Sequence, residues 1–157
     1  SELDSNRAGQ SYMLERQFEL LYAEAIRLHS RGLSEKSKGW LRAIEDPRLG
    51  KALDYIHNHI EQTLSVAVLA QQVNLSPSRF SAYFKEVMGL PPLSYITQWR
   101  MHCADNILLN DPSRQISEIA YDLGYGSLAA FNRAFTKFAA MSPSARRKQL
   151  LTQHSNN

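Results

Sequence analysis

Residues 69–92 read LAQQVNLSPSRFSAYFKEVMGLPP, and residues 119–143 read IAYDLGYGSLAAFNRAFTKFAAMSP. The two stretches are copies of one pattern. Phe80, Phe84 and Pro92 recur 51 positions later as Phe131, Phe135 and Pro143, while Ala70 and Asn74 recur 50 positions later as Ala120 and Gly124. The second copy therefore carries one extra residue in its turn. In each copy a short apolar helix leads to a residue suited to a left-handed backbone (Asn74, Gly124) and then to a serine (Ser76, Ser127). A helix with two Phe four apart follows. That order describes a helix-turn-helix, and two of them in one chain suggest a protein that touches DNA twice from one polypeptide.

The flanking sequence reads as helix too. Between Tyr12 and His29, Leu14, Phe18, Leu21, Ala25 and Leu28 fall at 4-3-4-3 spacing. Arg31-Gly32 closes this helix, residues 34–39 form a polar linker, and Trp40, Leu41 and Ile44 make a short apolar cluster. Asp46-Pro47 reads as an N-cap with Pro in the first turn of a helix over about Arg48 to Glu61, burying Leu49, Leu53, Ile56 and Ile60. Ser65 caps a helix over 66–73. Ser76-Pro77 opens a recognition helix over 77–88, ended by Gly89. Pro91-Pro92 starts a long helix to about Asn110, with apolar positions Leu93, Ile96, Trp99, Cys103, Ile107 and Leu108, and Asp111-Pro112 stops it. The second unit has a helix over 116–123, a turn from Gly124 to Gly126 and a recognition helix from Ser127 to about Ala139. Ser142-Pro143 begins a short final helix, and the polar end over 152–157 is expected to fray.

No segment alternates like a strand or carries a hairpin signal, so the expected fold is all-α. It comprises two helix-turn-helix subdomains joined by a long linker helix, with a helical segment before them. The expected division is 1–46 as a helical linker, 47–150 as the DNA-binding domain and 151–157 as a polar tail. Within the domain, the first helix-turn-helix covers about 66–88, the linker helix about 92–110 and the second helix-turn-helix about 116–139.

Composition narrows the class. A 43% hydrophobic content over 157 residues suits a packed globular fold rather than disorder. A single cysteine excludes an internal disulfide and suits a reducing compartment. No apolar run approaches the roughly 18 residues a membrane span needs, and acidic Ser1-Glu2-Leu3-Asp4 is unlike a signal peptide. A soluble, cytoplasmic, nucleoid-associated protein without a membrane partner is the expectation. Residues 1–46 hold seven Lys/Arg against eight Asp/Glu, whereas residues 47–157 hold eleven against seven. The basic excess thus sits with the repeats, where a phosphate-facing surface would need it.

The Phe stripes orient the recognition helices. Phe80, Phe84 and Val87 in the first copy, and Phe131, Phe135 and Phe138 in the second, point to the core. The first copy then presents Ser78, Ser81, Ala82 and Lys85, with Arg79 to one side. The second presents Leu128, Ala129, Asn132, Arg133 and Lys137. Arg can grip guanine through O6 and N7, and Asn can pair with adenine through N6 and N7. Arg133 and Asn132 are therefore the leading base readers. Ser76 and Ser127, at helix starts, together with Lys85 and Lys137, suit phosphate.

At this point residues 47–149 resemble the DNA-binding domain of the AraC/XylS family of bacterial transcription regulators. The first unit matches through Leu69-Ala70, Leu75-Ser76, Phe80, Phe84-Lys85, Gly89, Pro92, Tyr95-Ile96, Arg100-Met101, Ala104 and Leu108-Leu109. The second matches through Ile119-Ala120, Gly124-Tyr125, Phe131, Arg133, Phe135 and Ser142-Pro143. Trp40-Leu41 and the run Asp46 to Gly50 are similar to the approach to this domain in members with an N-terminal cupin-type sensor. The chain departs from the family where Ala140 stands for Gly and Arg146 for an aromatic residue. Ala82 occupies a place where Arg is common, and Leu128 and Ala129 replace side chains that are often polar.

The resemblance implies a transcription regulator whose partner is double-stranded promoter DNA. It also implies activation through RNA polymerase as the commoner mode, and no cofactor. A linker of about 18 residues spans ~27 Å, which suits recognition helices entering successive major grooves ~34 Å apart. One monomer would then read an asymmetric site. The 12–29 segment could pair two chains as a homodimer, or pack against a β-rich sensor that 46 residues without strand signals cannot build. Beginning at Ser1 without Met, the chain reads as a C-terminal fragment.

Two other classes compete. DNA-repair methyltransferases can carry a domain of this family with a methyl-accepting cysteine, but Cys103 lies mid-helix beside the apolar stripe. His57 and His59 point to different helix faces and form no metal pair, and His102 stands alone. No Gly-rich phosphate loop or nucleophile elbow appears, so neither an enzyme nor a metal site is expected. The other class is a helix-turn-helix kept as a protein-interaction module, which the loss of Arg at Ala82 would favour.

Overall fold

The computed structural model describes residues 46–155, which form seven α-helices with no strand among them. They are α1 (Pro47–Asn58), α2 (Val66–Gln72), α3 (Pro77–Met88), α4 (Pro92–Asn110), α5 (Ile116–Asp122), α6 (Leu128–Ala139) and α7 (Pro143–Ser155). The expected helix over 12–29 and the cluster Trp40, Leu41 and Ile44 lie outside the described residues.

Most of the helices start on a local side-chain cap. Asp46 caps α1 by accepting the Arg48 N–H at 2.9 Å, with Pro47 inside the first turn. Ser65 caps α2, Ser76 caps α3 and Ser127 caps α6 in the same way. Gly89 ends α3 in a left-handed conformation. Two expected boundaries shift. α1 stops at Asn58 rather than near Glu61, and beyond its end the Ile60 and Gln62 carbonyls accept from the Arg100 guanidinium. α7 is not short and runs through Ser155, over residues expected to fray. Leu150, 7% exposed, anchors it, and Thr152 and Ser155 hydroxyls bond to carbonyls four residues back.

Two cores form. Around the first helix-turn-helix, Leu49, Ala52 and Ile56 of α1, Leu69 and Ala70 of α2, and Phe80 and Phe84 of α3 are buried, with Tyr95, Ile96 and Trp99 of α4. Ala52 takes the buried place expected for Leu53, which is half-buried. The second core gathers Met101, Ala104 and Leu108 with Ile119, Ala120, Leu123, Phe131, Phe135 and Leu150.

α4 serves both cores and packs against α3, α5, α6 and α7. At 100° per residue, Tyr95, Ile96 and Trp99 lie on one side of its axis, and Met101, Ala104 and Leu108 lie on the opposite side. A single apolar stripe was therefore the wrong template. Leu93 stands half exposed, Cys103 and Ile107 are only partly buried, and Tyr95, Met101 and Ala104 take interior places. A helix that changes its buried face partway along has no one-sided periodicity to read.

Candidate nucleic-acid interface

The two turns are built alike. In each, the short helix ends with paired backbone bonds. Leu75 N–H reaches the Ala70 carbonyl at 3.0 Å and Asn74 N–H the Gln71 carbonyl at 3.3 Å. Tyr125 and Gly124 repeat this to Ala120 and Tyr121, both at 3.0 Å. Asn74 (φ 56°) and Gly124 (φ 83°) supply the left-handed residue that the closure requires. The turn then passes to a serine whose hydroxyl oxygen accepts a helix N–H. Ser76 accepts from Arg79 at 3.3 Å, and Ser127 from Ala130 at 3.1 Å. Both serines are exposed at helix starts, and each keeps a hydroxyl proton free to donate.

On α3 the side chains of Ser78, Arg79, Ala82 and Lys85 are exposed and Ser81 is half-buried. On α6 Ala129, Arg133 and Lys137 are exposed, Leu128 is 40% exposed and Asn132 half-buried. The 51-residue register sets Ser81 against Asn132, Ala82 against Arg133 and Ser78 against Ala129. The lysines are out of register. Lys85 stands opposite Thr136, and Lys137 opposite Glu86, which is also exposed. The same helical position is thus anionic in one copy and cationic in the other.

The core stripes are shorter than expected. Phe80, Phe84, Phe131 and Phe135 are buried, but Val87 is half-buried and Phe138 is 38% exposed. The Phe138 ring lies at the edge of the second core, 6.0 Å from the Phe135 ring, and meets His102 edge-on with centroids 4.9 Å apart.

The basic excess divides sharply once partners are known. Arg48 pairs with Asp46 and lies over the Tyr83 ring. Arg100 bonds two carbonyls, Arg114 pairs with Asp122, Arg146 grips both oxygens of Asp105, and Arg147 donates to the Arg114 carbonyl. Five of the eleven cations of residues 47–157 are thereby bound within the protein. Arg79, Lys85, Arg133 and Lys137 are exposed on α3 and α6 and hold no ion pair among the described residues. Structural bonding therefore leaves six cations, four of them on α3 and α6, where the expected phosphate surface lies, and two, Lys51 and Lys148, exposed on α1 and α7.

Other chemistry-bearing side chains have interior work. Burial pushes the Cys103 thiol up to about 12, so it stays protonated and non-nucleophilic. His57 Nε2 shares a 2.8 Å hydrogen bond with the Tyr95 hydroxyl and stacks on Trp99 at 4.0 Å. Burial lowers its pKa to about 4, against a small opposing pull from Asp54. His59 stacks on Tyr55 and bonds its carbonyl. Among the described residues no group of three or more His, Cys, Asp or Glu could hold a metal ion.

Two contacts escape a reading of the sequence. The Tyr83 hydroxyl of α3 donates to the Asp46 carboxylate, joining that helix to the point where the chain enters α1. Burial and this bond raise the Tyr83 pKa to about 12. The other contact is that of Arg100 with the loop after α1. Neither has a signal in spacing, since the partners are 37 to 40 positions apart.

A family model described as a helix-turn-helix domain matches residues 69–149. The HTH-type transcriptional regulator AlkR of Acinetobacter baylyi is 33% identical over 141 residues, covering 90% of this chain. The chain spans 45% of that relative, less than half its length. Among solved structures, the C-terminal domain of AraT, a response regulator from Geobacillus stearothermophilus, superposes with a TM-score of 0.63 at 31% identity. The match covers 66% of this chain and 86% of that one. The DNA-binding domain of AdpA, a global transcriptional factor solved in complex with a target DNA, shares the fold. Its TM-score is 0.66 at 22% identity, over 71% of this chain and 99% of that one. Matching copies, caps and cores agree with these likenesses, and the chain belongs to the AraC/XylS family of transcription regulators, carrying that family's helix-turn-helix DNA-binding domain.

Proposed function

We propose that residues 47–150 bind double-stranded promoter DNA as a monomeric, two-headed reader, with α3 and α6 entering successive major grooves. The observation that carries this is the distribution of cations. Internal bonds take up five arginines, and of the six cations left, Arg79, Lys85, Arg133 and Lys137 stand exposed on two helices of equal construction, with Lys51 and Lys148 elsewhere. Asn132 and Arg133 on α6 are the base readers, paired with adenine and guanine edges. Ser76, Ser127, Lys85 and Lys137 hold phosphate, and Leu128 and Ala129 offer apolar contact to thymine methyl groups. α3 presents Ser78, Ser81 and Ala82, with Arg79 at its side, and mainly positions the protein. This is binding without catalysis, consistent with a Cys103 thiol held protonated.

Sites selected from random DNA provide the test. Arg133→Ala should cost ~1–3 kcal/mol on the selected site and relax preference at one base pair, whereas Lys137→Ala should weaken selected and random DNA alike. Equal losses on both DNAs for Arg133→Ala would remove it as a base reader. Glu86 and Ala82 favour a second reading of α3 alone, as a face for another protein. A footprint one major groove long, unchanged by Lys85→Ala, would select that reading.

A further inference from the structure

The recognition helices stand on separate cores that α4 connects, and a single helix does not by itself fix the angle between the bodies at its two ends. We infer that Arg100 is a positioning residue that locks α3 and α6 in one relative placement, and so sets the half-site spacing the protein accepts. The spacing part rests on the DNA reading above; the locking part does not.

Arg100 stands where the buried face of α4 changes over, between Trp99 of the first core and Met101 of the second. Its Nε and Nη2 donate to the Ile60 carbonyl at 3.2 and 3.0 Å, and Nη2 also donates to the Gln62 carbonyl at 2.7 Å. The guanidinium lies over the Tyr125 ring, 5.7 Å from its centroid. A Cβ on Gly124 would meet Nη2 at 2.7 Å and the Ile60 carbonyl at 2.8 Å. The Ile60 side chain itself packs against the second core. One group therefore ties the loop after α1, the middle of α4 and the turn of the second helix-turn-helix.

The chemistry of the tie is specific to arginine. A planar fork can hold two carbonyls while its face rests on an aromatic ring, and an ammonium on a flexible stem cannot do all three at once. Without the tie, the Ile60–Gln62 loop loses its partner and the two bodies can hinge about α4. Two linked binding modules gain most when their separation matches the two sites, and lose that gain when geometry forbids both engaging. Rigidity at Arg100 thus becomes selectivity for spacing.

The test uses the full chain with Cys103→Ser and spin labels on Glu86→Cys and Lys137→Cys, the two register-equivalent exposed positions. Without DNA, the parent should give one narrow interlabel distance. Arg100→Gln should broaden or shift it, and Arg100→Lys should fall between. On DNA with two selected half-sites, a two-base-pair insertion should weaken the unlabelled parent by about tenfold or more and Arg100→Gln by less than about threefold. A folded Arg100→Gln with the parent's distance distribution and spacing profile would overturn the inference. Loss of helical signal in both variants would also overturn it, assigning Arg100 to stability alone. If the parent binds no DNA at low salt, the DNA reading fails, and the interlabel distance still decides the role of Arg100.

Discussion

Ala140 ends α6 at φ 58°, a left-handed conformation that the first copy gives to Gly89 at φ 79°, 51 positions earlier. An L-residue there costs roughly 1–2 kcal/mol, and a glycine gives back part of that gain through a freer unfolded chain. Ala140→Gly should therefore raise stability by about 0.5–1 kcal/mol, read as a higher urea midpoint at unchanged m-value. An unchanged or lower midpoint would show that the C-cap is not strained. Gly124 presents the opposite case. It is left-handed as well, and the place of its Cβ is already taken by Arg100 and the Ile60 carbonyl. Gly124→Ala should destabilise by roughly 2 kcal/mol or more, combining backbone strain with displacement of the guanidinium. Asn74, its counterpart, is exposed at φ 56°. A need for a left-handed residue could be read in both turns, but why only one of them demands glycine could not.

At the scale of elements, α1 docks on α4 through an interior histidine. His57 bonds Tyr95 and stacks on Trp99, and burial holds its pKa near 4 against an ordinary 6.5. Between those values the unfolded chain binds a proton that the folded chain refuses. Stability is then complete above about pH 6.5 and falls as the pH drops towards 4. At about 1.4 kcal/mol per unit, the loss amounts to roughly 2–3 kcal/mol across that window. Melting curves of His57→Gln should be flatter than the parent's between pH 7 and 4.5, and parallel curves would refute the assignment. The Asp46 carboxyl is held below its ordinary range, chiefly by the Tyr83 hydroxyl, so its contribution fades at a lower pH and does not blur the comparison. α7 docks on α4 by a different chemistry. Arg146 makes two bonds to Asp105, at 2.6 and 2.9 Å. That partner lies 41 positions away, so spacing along the chain gave no sign of it.

For the whole molecule, the separation of bound from free cations makes a quantitative statement about DNA. Four exposed side chains on α3 and α6 (Arg79, Lys85, Arg133 and Lys137) correspond to a salt slope near −3 to −4, or roughly a hundredfold loss of affinity between 50 and 200 mM salt. A slope near zero in a binding titration would return the domain to the interaction class. What the sequence determined by itself was local. Serine caps, left-handed residues, Pro starts and paired Phe act within one or two helical turns, so the all-α class, most boundaries and the exposed faces of α3 and α6 followed from them. Tertiary structure decided what depends on partners far along the chain. α4 turns opposite sides to two cores, so one periodicity could not describe it. Phe138 was left partly exposed at the edge of the second core, against Phe135 and His102. The Ile60 and Gln62 carbonyls past α1 met Arg100, and five arginines found partners within the protein while four of the six other basic side chains stand exposed on α3 and α6. Spacing along a chain encodes what a helix can bury, but only the assembled cores determine which charge is left over and where it stands.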